Sequence, residues 1–475
     1  MDTLVKNVLA DRYASPAMAD LWSETGKIRL ERKLWIAVML AQRDLGIPIP
    51  MEAITAYERV VDKIDLESIR KREKATRHDV KARIDEFCEL AGFQHIHKGL
   101  TSRDLTENVE QLQVAQALRM TLEKAVSSLS ALGDCAERFR DLVLAGRTHN
   151  VPAQPTTLGK RFAMFGEEFI LAIAELEHFL NTYPVRGLKG AVGTQTDQIT
   201  LFDGDLEKTA QLEASMLRHL GLPALMSSVG QVYPRSLDFG LVSKLYALSA
   251  APSNFARTIR LMAGHEAASE GFAKGQTGSS AMPHKMNSRS CERIHGFRSI
   301  LAGHVTMASA LAGDQWHEGD VSCSVVRRVV LPDSFFAIDG LLNTFLSVLQ
   351  QLTVYPAVIG QELEQYAPFL LTTTILMEAV KKGIGREDAH HLIKTHAVAE
   401  IETRRQSGNL ENHLIDRLAA DPTFPLDRSE LERISHSIRN QTGNALRQID
   451  GFLSQVATLK ARYPGHREYG VADIL

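Results

Sequence analysis

The sequence is poor in cysteine. Cys88, Cys135, Cys291 and Cys323 are the only four in 475 residues, and none forms a CxxC pair. Four scattered thiols cannot staple a chain this long and lack the spacing of a zinc site, so reduced thiols in a cytoplasmic setting are the expectation. An excess of either charge is missing too. Lys and Arg number 54 against 57 Asp and Glu, a net charge of −3, which speaks against broad binding to nucleic acid or an anionic membrane but leaves room for a local anion pocket. No uncharged apolar run approaches about 18 residues, so no membrane span is expected. Met1–Lys6 lacks the basic start and apolar run of a secretory signal. Also absent are the HxxxH and HExxH metal patterns and the glycine-rich phosphate loops GxxxxGK and GxGxxG. Neither a metal nor a nucleotide cofactor is therefore expected.

Proline is sparse in an informative way. Of 16 prolines, none lies between Pro50 and Pro152 or between Pro283 and Pro332. Proline costs about 3 kcal/mol inside a helix, so these gaps admit long helices. Apolar spacing fills them. Phe162, Phe165, Phe169, Ile173, Leu176 and Leu180 alternate steps of three and four, as do Phe335, Ile338, Leu342, Phe345, Leu349 and Leu352. Leu237, Leu241, Leu245 and Leu248 run on through Phe255, Ile259 and Met262 with a kink expected at Pro252. Such seams belong to packed helices, and alternation of period two is nearly absent, so the fold class is all-α. Val326–Leu352 is apolar on more than one stripe. It must be buried on several faces, by helices of other subunits or by a thick monomeric bundle. Breakers divide the chain into three helical units: 1–101, 102–354 with the longest seams, and 355–475.

One segment is unlike its helical surroundings. Residues 275–288 contain two glycines, adjacent Ser279 and Ser280, Pro283, Lys285 and Asn287. Such a loop can hinge and turn backbone amides toward a ligand, and Lys285 could stabilise an anion formed when a serine acts; a solvated connector fits the composition as well. The next helix is expected to open near Ser288. Histidines stand beside charges or breakers: Arg77-His78-Asp79 in a charged helical run, His95-Ile96-His97 before Gly99, and His149 where Arg147–Pro155 joins one long helix to the next. Each can move a proton if geometry supplies a partner, although singly a histidine is more often a surface or core residue. Arg12, Arg77, Arg293 and the pair Arg327-Arg328 could bind carboxylate or phosphate, or be ordinary solvated arginines.

Gly278-Ser279-Ser280-Ala281-Met282-Pro283-His284-Lys285-Met286-Asn287 resembles the GSSxMPxKxN signature of the fumarase/aspartase superfamily. Arg12-Tyr13, Arg77-His78-Asp79, Gly99-Leu100-Thr101-Ser102, Thr148-His149, Gly230-Gln231 and Ser324 with Arg328 follow in family order and resemble the branch that cleaves adenylosuccinate. The resemblance implies a three-domain helical subunit in a homotetramer, with active sites shared between subunits. It implies β-elimination of fumarate from adenylosuccinate and from the succinyl-carboxamide intermediate SAICAR. By position it assigns Ser279 as base, His149 as general acid, Lys285 beside the developing charge and Glu292 as the carboxylate that orients the acid. His78 and His97 match further active-site histidines. Arg12, Tyr13, Arg77, Asp79, Thr101, Ser102, Gln231, Asn287, Arg293, Ser324 and Arg328 match substrate contacts.

Two positions depart from the pattern. Ser288 follows Asn287 where relatives commonly have proline, and Gly319 in Trp316-His317-Glu318-Gly319-Asp320 stands where they often carry arginine. A sister enzyme acting on argininosuccinate shares the serine, lysine and histidine, but Arg12-Tyr13 and Arg77-His78-Asp79 argue against it. A non-catalytic scaffold of the same fold would release no fumarate from any succinyl substrate.

Overall fold

The computed structural model describes residues 5–271, 281–282 and 284–470; residues 275–280, Ser279 among them, and Pro283 of the 275–288 segment lie outside these. Long helices occupy the proline-free gaps. Ser102–Arg138 runs for 37 residues. Leu158–Asn181 buries Phe162, Phe165, Phe169, Ile173 and Leu176, and the Thr157 hydroxyl accepts from the Lys160 N–H at 3.1 Å to start it. The seam from Leu237 to Met262 is two helices, Ser236–Leu248 and Ala250–Gly264. They part at Ser249, ahead of the expected kink, because Pro252 then falls in a first turn, where its missing N–H has no helical partner to lose. Arg289–Ser309 follows directly after Ser288, as expected.

Cys323–Gln351 answers the question its apolar stripes raised. Residues 334–346 are buried all round by this chain's own helices, so the thick bundle suffices there. Only its first turns keep apolar surface, with Val325 73% and Val329 42% exposed. This helix is long and apolar enough to cross a membrane, yet 83% of its most apolar stretch is buried inside the fold, which marks a core helix.

Three large apolar cores, beside two small clusters, organise the described residues. The first gathers Leu34, Trp35, Tyr57 and Phe87 with Leu105, Val109 and Leu112, so the start of Ser102–Arg138 completes the N-terminal unit. The second is the central bundle. It includes Ile449, Phe452, Val456 and Leu459 of the late helix Ala445–Arg462. Gly166 makes room for that return: a Cβ there would lie 2.1 Å from the Phe452 ring. The third core joins Leu363, Leu370, Ile375, Leu418 and Leu431 to Ala145. We propose that the three units foreseen at 1–101, 102–354 and 355–475 are built around these cores, the second also drawing in Leu9, Met18 and Ala445–Arg462 and the first Leu188, Phe202, Leu212 and Met216.

Two local expectations are corrected. Arg147–Pro155 does lie between two long helices, but as part of a hairpin and not as their ends: Val143–Thr148 pairs antiparallel with Val151–Thr157, with a bulge between Ala145 and Arg147. Arg77-His78 is no helical run either. Arg77 takes a left-handed φ of 53° as it ends Leu66–Thr76, and His78 caps Asp79–Ala91.

Candidate active site

The site residues fall into three groups. In the first, His78 Nδ1 accepts the Lys81 N–H at 3.2 Å, which leaves Nε2 to carry the proton of a neutral ring. Asp79 is tied to Arg83 at 3.0 Å; burial pushes its carboxyl up, but Arg83 and the helix N–H groups hold it below the usual range. Arg83 also reaches buried Glu31 at 2.7 Å. His97 has a left-handed φ of 64° and accepts the Trp35 indole N–H on Nδ1 at 3.1 Å. Burial lowers its pKa to about 4 against the pull of Asp104, so the ring is neutral at pH 7.

Asp104 fixes the floor of this group. One carboxylate oxygen accepts the Thr101 N–H at 2.8 Å; the other takes Arg186 Nη1 at 2.6 Å and the N–H groups of Lys189 and Gly190 at 2.9 and 3.0 Å. Ser102 opens the helix just before it. Fully buried Arg186 also donates to Gly230 O at 3.2 Å, and the Gln231 N–H donates to Glu318 O at 2.7 Å, bringing the next two loops alongside. Gly319 sits here with φ 121°, and a Cβ on it would lie 2.5 Å from Val232 Cγ2. The arginine that the resemblance suggests has no place at this backbone.

The second group surrounds the flanks of the signature segment. Glu270, 3% exposed, accepts the N–H groups of Ser290 and Cys291 at 2.9 Å each. Ser288 gives the helix no side-chain cap, so Glu270 supplies it from the far side of the segment. Arg293 stacks over Tyr13 at 5.6 Å, and Tyr13 packs edge-on against Phe297 at 5.1 Å. Burial and the nearby cations Arg12 and Arg289 lower the Arg293 pKa, so positive charge concentrates here. Lys285 is exposed, its N–H on Met282 O at 3.0 Å, and Asn287 O receives the Arg289 N–H at 2.9 Å. Glu292 is exposed, 3.6 Å from Arg260. At the head of Cys323–Gln351, Ser324 is half-buried and Arg328 exposed, whereas Arg327 is buried against Glu110 at 2.7 Å and Asp238 at 2.8 Å. Arg327 is thus committed to the interior.

His149 forms the third group. It and Asn150 are the whole turn of the hairpin, both exposed, with φ of 53° and 62°. A two-residue turn with both φ positive matches the right-handed twist of its strands. Arg147, ion-paired with Glu362, and Gln154, whose Nε2 donates to Thr373 Oγ1 at 2.8 Å, anchor the strands to the third core. Sequence reasoning missed Trp35, Asp104, Arg186 and Glu270. Only Asp104 left a local signal, as the fourth residue of a Thr-x-x-Asp capping box.

Known proteins resemble this chain over most of its length. The "Lyase" family model matches residues 14–303, and the "Adenylosuccinate lyase C-terminus" model matches residues 368–452. Adenylosuccinate lyase of Saccharomyces cerevisiae is 32% identical over 94% of this chain and 93% of its own length. That of Schistosoma mansoni is 33% identical over 94% of each. Among solved structures, 3-carboxy-cis,cis-muconate lactonizing enzyme from Pseudomonas putida superposes with a TM-score of 0.80 at 19% identity, over 96% of this chain and all of that one. These matches place the chain among the lyases of the fumarase/aspartase superfamily. Within that class, the chain belongs to the adenylosuccinate lyase family.

Proposed function

We propose that this chain eliminates fumarate from adenylosuccinate, leaving AMP, and performs the same β-elimination on SAICAR. The chemistry must remove a weakly acidic proton beside a carboxylate. That calls for a base, a counter-charge for the dianion that forms, and an acid for the departing nitrogen. Ser279 is assigned as the base, Lys285 as the counter-charge, His149 as the acid and Glu292 as the carboxylate that orients it. A serine serves as base only where water is excluded. Arg12, Tyr13, Arg293, Asn287, Ser324 and Arg328 bind the substrate from one side. Arg77, His78, Asp79, His97, Thr101, Ser102 and Gln231 bind it from the other.

The presentation of His149 carries this reading. His149 sits on an exposed two-residue tip, and Glu292, 3.6 Å from Arg260, is exposed as well. A site that needs both is completed by joining subunits, in a homotetramer. Exposed Val325, Val329, Ile300 and Met307 support such a union, as do Gly296 and Gly303, which have open space above them. A spectrophotometric assay with both succinyl substrates tests the reaction. Ser279→Ala and His149→Ala should each abolish turnover, and mixing the two inactive proteins should restore part of it. No recovery after verified subunit exchange would refute sharing, and wild-type turnover in either variant would reassign its role.

A further inference from the structure

Trp35, on the helix Glu24–Asp44, is 1% exposed and lies between Phe87, stacked at 6.1 Å, and His97, edge-on at 6.0 Å. Its one polar atom donates to His97 Nδ1. An indole N–H can only donate, so the nitrogen it meets carries no proton, and the proton of the neutral imidazole is on Nε2. We infer that Trp35 is a positioning residue for the lyase reaction: it fixes His97 as a neutral Nε2–H donor to an anionic oxygen of the substrate, so that His97 binds and does not carry the migrating proton. This rests on the placement of His97 in the proposed site.

Two further features agree. Protonating Nδ1 would set two N–H groups against each other inside the first core. Of the charged groups around His97, only Asp104 favours its cation, and that carboxylate is already matched by Arg186. The backbone is held as well: His97 keeps its left-handed φ, and its carbonyl takes the Leu100 N–H at 3.4 Å. Ring and main chain are thus both constrained, as a binding group of fixed orientation requires.

The test is a double-mutant cycle with adenylosuccinate as substrate. Trp35→Phe keeps an aromatic ring against Phe87 and removes the N–H. It should lower kcat/KM by about 5- to 30-fold, chiefly through KM, and should cost nothing more in a His97→Ala background. An equal loss in both backgrounds, or none in the first, overturns the inference. His97→Gln, whose amide N–H stands near the position of Nε2, should retain more activity than His97→Asn, which mimics Nδ1; the reverse order also overturns it. That comparison decides the matter if Trp35→Phe fails to fold. The imidazole ¹⁵N spectrum of histidine-labelled protein, assigned against His97→Gln, reads the tautomer without substrate. A wild-type protein that turns over neither succinyl compound would therefore sink the proposed function, while the spectrum still judged the tautomer.

Discussion

Replacing Glu270 should cost more than its distance from any reacting group suggests. Its carboxylate accepts the second and third N–H groups of Arg289–Ser309, both at 2.9 Å, in a buried setting. Glu270→Ala strands two donors at about 1–3 kcal/mol each and removes an anion from a helix N-terminus, worth about 0.3–2 kcal/mol. Partial relaxation toward water offsets some of this, so about 3 kcal/mol of lost stability is expected. Glu270→Gln keeps one acceptor oxygen and should lose about half as much. Urea unfolding at equal subunit concentration measures it. With an m value above about 3 kcal/mol/M for a chain this long, the midpoint falls by up to about 1 M while m is unchanged. Glu270 also ties together the two flanks of residues 272–280, so kcat should fall in both variants even where they remain folded. A Glu270→Ala protein that unfolds at the wild-type midpoint would refute the capping argument.

Other outcomes follow from the same geometry. Gly319→Arg should lower stability by about 1–3 kcal/mol, seen as a reduced Tm, without improving kcat/KM, because the added side chain meets Val232 at a left-handed φ; tighter substrate binding would contradict this. His97 has a folded pKa near 4, below the ordinary value of 6.5. Between those values the unfolded chain binds a proton that the folded chain refuses. Its contribution is therefore full above about pH 6.5 and is lost as the pH falls toward about 4, by at most about 3 kcal/mol. Across that range the urea midpoint of wild type should fall relative to that of His97→Gln as the pH is lowered; a constant difference would contradict this. Gly166→Ala should weaken the seat of Phe452 and lower the Tm, and an unchanged melt would show that the ring can move aside.

Helices were legible because their signal is local. The seam of Phe162, Phe165, Phe169, Ile173 and Leu176 maps directly onto a buried face, and the start of Arg289–Ser309 was readable from the breakers before it. The hairpin at 143–157 was not. Pro152 and Pro155 suggested a joint between helices, and the alternation is blurred by the bulge near Gly146. Glu270, Arg186 and Trp35 escaped for a different reason. Their partners lie 20, 82 and 62 residues away in the chain, so no periodicity or spacing links them. The residues expected to do chemistry were recognisable by resemblance to relatives; those that hold them in place emerged only from the folded chain.

The seating of Ala445–Arg462 on the central bundle has a consequence for biosynthesis. At about 5–20 residues per second, Ser102–Arg138 leaves the ribosome many seconds before its last neighbour is made. During that interval an oily groove beside Gly166 stands open, the kind of surface that chaperones hold. A nascent chain released short of Phe452 would keep that groove, and would be drawn to aggregate before it could join sister copies.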